Sequence, residues 1–144
     1  MLKRSFLSIS MLCLFLLIAG VSAIAAIKPI RQRCEYLVNP LAVDAANPRL
    51  SWEIDGGLER NLKQTSYQIQ AASSIALLDQ NRPDLWDSGR INSSETNQIE
   101  YKGKLPGPGK MIYWRVRVTG NQGPASSWGP AAFWGQGIDV SQAT

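Results

Sequence analysis

The sequence of 144 residues predicts an all-β fold, an antiparallel β-sandwich of about seven short strands. The stretch from Ile112 to Val118 alternates apolar and polar residues, which is typical of a strand with one face on a core and the other in water. Similar stretches recur at roughly even spacing, and turns rich in Gly, Pro and Asn separate them. Only one short segment carries a helical pattern.

The longest alternating stretch is the predicted central strand. One face carries the predicted core residues Ile112, Trp114, Val116 and Val118. The other face carries Tyr113, Arg115 and Arg117. Turn residues bound the strand at both ends, at 105–109 and 120–124. We expect the guanidinium groups of Arg115 and Arg117 to stack on Trp128 of the neighbouring strand and to stiffen the sheet.

The other strands follow in order along the chain. They are predicted at Cys34–Val38, Arg49–Ile54, Gln64–Ala71, Leu85–Ile91, Gln98–Tyr101 and Ser126–Trp134. Trp52 shares a face with Leu50 and Ile54 and is therefore a predicted core residue. The inward side chains of the third strand are predicted to be Thr65, Tyr67, Ile69 and Ala71. One or two helical turns, with a serine cap ahead, are predicted within Ser73–Gln80. This number and spacing of strands indicates an immunoglobulin-like class.

The first 26 residues have the pattern of a cleaved signal peptide. Lys3 and Arg4 precede an apolar run from Met11 to Ile18, and small residues follow that suit cleavage. A membrane anchor is the alternative, but the run is shorter than the roughly 20 residues that a spanning helix needs. We therefore expect a secreted or periplasmic protein with no membrane contact after cleavage.

Cleavage would leave 118 residues, which suit one domain. We expect a lead-in at 27–33, the sandwich at 34–135 and a linker at 136–144. The mature chain would carry 13 cations and 11 anions, which excludes the strongly basic charge of a typical nucleic-acid binder. Cys34 would be the only thiol, so no internal disulfide can form, and we expect it to be a buried apolar residue.

The composition limits the available chemistry. The chain has no histidine, which excludes a histidine-based triad or histidine metal site. We expect no cofactor, no metal and no catalytic residue, because the carboxylates are scattered and a glycosidase needs two that face one sugar. Asp87-Ser88-Gly89 is predicted to be a turn in which the Asp side chain accepts backbone N–H groups and Gly89 adopts a positive φ.

Three tryptophans are the candidate binding residues. Trp86, Trp128 and Trp134 lie in or beside predicted loops and edge strands. An indole there could stack on a sugar ring or pack against another domain. Packing inside this domain or against a neighbouring domain is favoured over sugar binding, because fully exposed tryptophan is uncommon in an isolated domain.

Four motifs carry a family resemblance. They are Arg33-Cys34-Glu35-Tyr36-Leu37-x-Asn39-Pro40-Leu41, Pro48-Arg49-Leu50-Ser51-Trp52, Gln64-Thr65-Ser66-Tyr67-Gln68-Ile69 and Leu85-Trp86-Asp87-Ser88-Gly89. In this order they resemble the N-terminal fibronectin type III-like module of secreted bacterial α-L-rhamnosidases of glycoside hydrolase family 78. Fibronectin-like domains often place a tyrosine near the start of the long strand, whereas this sequence has Ile112 there.

The resemblance implies a non-catalytic accessory module. In that family the catalytic carboxylates belong to an (α/α) barrel further along the polypeptide, beyond the part present here. The implied partners are the downstream domains and rhamnose-containing glycans. A stand-alone carbohydrate-binding module and a protein-interaction module remain as alternatives.

Overall fold

The computed structural model describes residues 27–138, so the predicted signal peptide at 1–26 lies outside the described residues. Seven strands and one short helix make up the fold. In chain order they are β1 Lys28–Cys34, β2 Arg49–Asp55, β3 Gln64–Ala72, α1 Ile75–Asp79, β4 Trp86–Asp87, β5 Ile99–Glu100, β6 Met111–Gly120 and β7 Ala132–Gly135. The prediction of an all-β sandwich is confirmed.

Two antiparallel sheets form the sandwich. One has the order β1-β2-β5 and the other the order β4-β3-β6-β7. The longest pairing joins β3 to β6, where Tyr67 lies opposite Val118 and Ala71 opposite Trp114. The core lies between the sheets, where all four of these side chains are buried.

Burial along β6 alternates without interruption, as its sequence predicts. Trp114, Val116 and Val118 are fully buried, as is Trp52 on β2 apart from 3% of its surface. Ile112 is also fully buried, so the register of β6 is the predicted one. Ile112 occupies the place where fibronectin-like domains often have tyrosine. Nearby, the Tyr101 hydroxyl donates a 2.7 Å hydrogen bond to the carbonyl of Lys104 and fixes the turn before β6.

The first strand was predicted at the wrong residues. β1 occupies Lys28–Cys34, which we expected to be mostly a lead-in, and pairs with β2 through a bulge between Ile30 and Arg33. Only Cys34 of the predicted strand Cys34–Val38 belongs to it. The chain turns after Cys34, where the backbones of Cys34 and Leu37 exchange two hydrogen bonds of 3.0 and 2.9 Å. The apolar run Tyr36–Val38 therefore lies in a loop.

The inward prediction for Thr65 was also wrong. A register shift between Gln64 and Ser66 places Thr65 at the surface, whereas Tyr67, Ile69 and Ala71 are buried as expected. The extra residue reverses the direction of the side chains before it. Gln64 consequently faces inward, where its Oε1 accepts a 2.9 Å hydrogen bond from the indole of Trp52.

The later strands are shorter than predicted. β4 and β5 have two residues each, and β7 begins only at Ala132. Residues 126–131 of the predicted last strand form no ladder, although the Ser126 and Gly129 N–H groups donate to β6. The helix prediction is confirmed by α1, where Ser74 Oγ accepts from the N–H of Leu77 at 3.3 Å. Within residues 27–138 no helix is both long and apolar enough to cross a membrane.

The predicted linker begins as part of the sandwich. Gln136 forms a parallel bridge with Val43, and the N–H of Gly137 donates to the carbonyl of Val43 at 2.8 Å. The N–H of Gly135 donates to Pro40 at 2.9 Å. The C-terminal segment 136–138 is thus fixed to the loop between β1 and β2. Residues 139–144 of the predicted linker lie outside the described residues.

Candidate functional site

The three candidate tryptophans have different surroundings. Trp134 on β7 is 1% exposed, so it cannot stack on a sugar and instead packs inside the domain, which is one of the favoured alternatives. Its ring meets the ring of Tyr101 edge to face at 4.9 Å. β7 is the last strand of the four-stranded sheet, and the loop between β1 and β2 bonds to its outer edge. Trp134 is therefore a core residue.

Trp86 lies at the boundary between core and surface. It is half-buried and packs edge to face on Tyr101, with ring centroids 5.1 Å apart. A Cβ at Gly103 would stand 2.4 Å from the Cβ of Trp86, so only glycine allows the chain to pass so closely. Trp86 lines an open cleft between the sheets, together with Glu95, Glu100 and Lys102.

Trp128 carries two arginines. The Cζ atoms of Arg115 and Arg117 lie 4.4 and 4.7 Å from the centroid of its ring. The predicted cation–π stack is therefore confirmed. Arg115 and Arg117 face outward because each alternates with a buried residue of β6. The half-buried Trp128 reaches them from the segment before β7.

The arginine stack continues across the sheet as a chain of hydrogen bonds. Arg115 donates two bonds to Oε1 of Gln70, at 3.1 and 2.7 Å. Arg117 donates two to Oε1 of Gln68, at 2.9 and 2.6 Å. The amide nitrogens of both glutamines then donate to the carboxylate of Asp87 on β4. We call these six residues the polar ladder: Trp128, Arg115, Arg117, Gln68, Gln70 and Asp87.

Asp87 is fully occupied by structural bonds. Its Oδ1 also accepts from the N–H of Gly89 at 2.9 Å, and Gly89 has a φ of 62°, so the predicted turn is confirmed. Partial burial alone would raise the pKa of Asp87, but the hydrogen bonds from Gln68, Gly89 and Gln70 outweigh it and hold the pKa below its ordinary value. This carboxylate is a strong acceptor that stays ionised rather than a proton donor.

Metal ligands and the cysteine thiol were the other groups to consider. Residues 27–138 contain no group of three or more His, Cys, Asp or Glu side chains suited to a metal ion. Cys34 is buried as predicted, and burial followed by the charge of Glu35 raises the pKa of its thiol to about 12. Since the thiolate is the reactive form, Cys34 is inert in the folded state.

A cluster of exposed apolar side chains was missed by the sequence analysis. Residues 35–41, which we call the corner loop, follow β1 and were interpreted in part as a strand. Leu37, Val38 and Leu41 are 57%, 65% and 76% exposed. Asn39-Pro40 directly after the apolar run Tyr36–Val38 was the available signal, because this pair favours a turn rather than a continuing strand.

The corner loop has an unusual backbone. Glu35, Tyr36 and Asn39 have φ values of 49°, 64° and 47°, a left-handed region that non-glycine residues seldom adopt. Surrounding contacts hold this conformation. Glu35 accepts bonds from the backbone N–H and the guanidinium of Arg49, at distances from 2.6 to 3.3 Å. Asn39 Oδ1 accepts a 3.0 Å bond from the N–H of Phe133 on β7.

Comparison with known proteins gives a consistent result. A model of the family described as "Rha78A-like, N-terminal immunoglobulin domain" matches residues 29–139. The chain is 36% identical over 114 residues to an α-L-rhamnosidase of Streptomyces avermitilis, a match covering 79% of this chain and 11% of the relative. It is 38% identical over 104 residues to an α-L-rhamnosidase of an Alteromonas species, covering 72% of this chain and 11% of the relative.

Solved structures show the same similarity. The crystal structure of Streptomyces avermitilis α-L-rhamnosidase complexed with L-rhamnose matches with a TM-score of 0.72 and 37% identity, over 78% of this chain and 11% of that one. The α-L-rhamnosidase of Dictyoglumus thermophilum matches with a TM-score of 0.73 and 37% identity, over 77% and 12% of the two chains. The chain thus spans about a ninth of the length of the relatives it matches.

Proposed function

This chain belongs to the Rha78A-like N-terminal immunoglobulin domains, and we propose that it is a non-catalytic spacer and packing module of an α-L-rhamnosidase of glycoside hydrolase family 78. The relatives of which it spans about 11% bear that enzyme's name. The activity would then belong to the remainder of such a polypeptide. We further propose secretion or transport to the periplasm, on the basis of the signal-like sequence at 1–26.

The observation that carries the proposal is the fixed C-terminal segment. Three main-chain hydrogen bonds of 2.8 or 2.9 Å hold it: from Gly109 to Gln136, from Gln136 to Lys110 and from Gly137 to Val43. Two more, from Val43 to Gly135 and from Gly135 to Pro40, hold the end of β7 just before it. A chain that leaves a domain through paired backbone has a defined direction, unlike a free linker. Such an exit suits a module that holds its neighbour at a set orientation.

The carboxylates support a non-catalytic role. Asp87 is held in the polar ladder, and Glu35 is bound to Arg49. Glu53, the outward acid of β2, forms a surface pair with Arg31 at 2.9 Å. A glycosidase needs one carboxyl that can donate a proton and a second that faces it across the sugar. These three acids, occupied by structural partners, do not meet this requirement.

A direct assay tests the proposal. We expect purified residues 27–144 to unfold in a single cooperative transition and to release no rhamnose from an aryl rhamnoside. The Streptomyces avermitilis α-L-rhamnosidase serves as the positive control under the same conditions. Turnover that copurifies with the domain through several columns and scales with its concentration would contradict the proposal.

The Trp86 cleft favours a second function, carbohydrate binding. An indole edge beside the polar side chains of Glu95, Glu100 and Lys102 offers an apolar surface and hydrogen-bonding groups for a sugar. This function predicts that rhamnose or a rhamnose-rich glycan quenches tryptophan fluorescence, and that Trp86→Phe weakens the effect. Trp128→Ala is the matched control, because its indole already carries two arginines. A flat titration up to molar rhamnose would exclude this function.

A further inference from the structure

We propose that the corner loop is the docking surface for the domain that follows this one in the polypeptide, and that Leu37, Val38 and Leu41 are its apolar contacts. The inference rests on the proposed function, because it names the surface through which the module packs. It assigns a role to the first of the four sequence motifs, residues 33–41. Only Cys34 of that motif belongs to the hydrophobic core.

The exposure of these side chains is the first support. Leu37, Val38 and Leu41 lie within five positions and each exposes more than half of its surface. Single exposed apolar residues are ordinary on proteins, whereas a group of them marks an interaction site. The described residues include other exposed apolar side chains, such as Leu58 and Ile75, but those lie apart from one another in the chain.

The backbone of the loop is the second support. Three non-glycine residues in the left-handed region are unfavourable, and such conformations persist where the surrounding structure enforces them. Here the enforcing contacts are polar and lie beneath the loop, from Arg49 and from the N–H of Phe133. The loop therefore holds its leucines outward in a fixed arrangement, which lowers the entropy cost of binding.

The position of the loop identifies the occupant. Pro40 and Val43 bond to Gly135 and Gly137, so the loop and the C-terminal segment form one corner of the domain. The family model ends at residue 139, and the relatives are about nine times longer than the matched region. In a polypeptide of that kind the next domain begins beside the corner loop. Proximity imposed by the chain raises its effective concentration there.

The adjoining surface indicates the chemistry of the occupant. A groove lies beside the C-terminal segment, and its lining mixes apolar residues such as Val43, Leu105 and Ile138 with the polar Asp44 and Gln136. Ile138 itself is 64% exposed. A partner that covers this surface must present apolar side chains to Leu37, Val38 and Leu41 and hydrogen-bonding groups to the polar side chains of the groove.

A domain exchange provides the test. Residues 27–138 replace the matching domain of the Streptomyces avermitilis α-L-rhamnosidase, to which this chain is 36% identical. The variant Leu37→Ser/Leu41→Ser is compared with the control Leu58→Ser/Ile75→Ser, which changes two exposed apolar residues elsewhere. The measurements are calorimetric unfolding of the chimera and its cleavage rate at the domain junction by a nonspecific protease.

We expect the corner-loop variant to release the domain from its neighbour. Its unfolding transition should separate from that of the remainder and fall by roughly 5 °C, and cleavage at the junction should accelerate about tenfold because proteolysis follows the open population. The control should match the unsubstituted chimera. Equal behaviour of the two variants would overturn the inference while leaving the spacer function intact. Two independent transitions in the unsubstituted chimera would overturn both.

A second copy of this chain is the other occupant that the corner loop could bind. Sedimentation of the isolated mature chain distinguishes it from a downstream domain. We expect sedimentation to give a monomer for both the unsubstituted chain and the corner-loop variant, with equal melting temperatures. A concentration-dependent dimer that Leu41→Ser abolishes would overturn the inference, because the surface would then be a self-association site. Rhamnosidase activity of the mature chain would contradict the proposed function and is measured separately.

Discussion

Two surfaces of this domain place large side chains in contact with water, and they do so in opposite ways. The polar ladder covers the outer face of the four-stranded sheet, where every charged group has a partner and Trp128 lies against two guanidinium groups. The corner loop has the side chains of Glu35 and Asn39 hydrogen-bonded, but it leaves three apolar side chains exposed. The polar ladder satisfies its interactions within the domain, whereas the corner loop leaves apolar surface uncovered.

The difference separates stabilising features from binding features. Trp128, Arg115 and Arg117 are the residue types that sequence analysis selects as a binding site. In the structure they instead connect three segments of one sheet. The sequence analysis did not select the leucines of the corner loop. In the structure, nothing in the described part of the chain covers most of their surface. A surface whose interactions are already satisfied has little to gain from a ligand, whereas exposed apolar area gains from burial.

The largest effect is expected where the polar ladder is cut at its end. Asp87→Ala removes the acceptor of Gln68, Gln70 and the N–H of Gly89, and we expect it to lower the free energy of unfolding by about 2 kcal/mol. Chemical denaturation measures this loss. Asp87→Asn keeps the shape and one acceptor oxygen and should recover part of it. An unchanged stability of Asp87→Ala would contradict the cooperative ladder.

A smaller effect is expected at the other end of the polar ladder. Trp128→Ala removes both cation–π contacts and the apolar area of the indole, and we expect a loss of about 1 to 2 kcal/mol. Trp128→Phe keeps a weaker aromatic face and should lie between. The same denaturation experiment applies. A loss above that of Trp134→Ala, which empties the core, would show that the ladder matters more than we infer.

Glu35, the first residue of the corner loop, is expected to make the stability of the domain depend on pH. Hydrogen bonds from the Arg49 side chain and backbone lower the pKa of Glu35 from its ordinary value of 4.5. Because the folded pKa is the lower one, the stabilisation is complete above about pH 4.5 and is lost as the pH falls through the folded pKa.

Glu35→Gln tests this dependence. We expect the variant to be less stable than the unsubstituted chain at pH 7, by less than Asp87→Ala because the pair is partly exposed and screened by solvent. Below the lowered folded pKa of Glu35 the two proteins should converge. Urea denaturation at a series of pH values measures the difference, and a gap that stayed constant down to pH 2 would exclude the ion pair as its cause.

The smallest effect on the isolated domain is expected in the corner loop itself. Leu41→Ser removes apolar surface that is already in water, so the free energy of unfolding should change by no more than about 0.5 kcal/mol. Leu78→Ser in α1 provides the contrast. Leu78 is 1% exposed, so this substitution should be strongly destabilising. A large loss in Leu41→Ser would mean that the loop serves the fold rather than a partner.

The fold was predictable where a regular period governs the side chains. The alternation of β6, the core position of Trp52, the serine cap of α1 and the Asp87 turn each depend on residues close together in sequence. The stack of Trp128 on Arg115 and Arg117 was predictable as well, because it follows from which face of β6 the arginines occupy.

The remaining features depend on contacts that no local pattern encodes. The bulge at Thr65 and the early start of β1 are set by pairing with strands far along the chain. Trp134 lies near turn residues in sequence but is enclosed by Tyr101, 33 positions earlier. The corner loop resembles a strand in composition, and contacts that no local pattern encodes, such as the bond from Phe133 to Asn39 94 residues away, fix it as a loop.

Cys34 gives the domain a built-in reporter of its own opening. This residue is 1% exposed and burial raises the pKa of its thiol to about 12, so we expect alkylating reagents to modify it only when the chain opens. Since Cys34 forms the base of the corner loop through its two bonds to Leu37, its alkylation rate reports how often that corner opens. A docked neighbouring domain would slow this rate. The fraction of molecules in which the neighbour covers the corner loop therefore becomes measurable with a single chemical label.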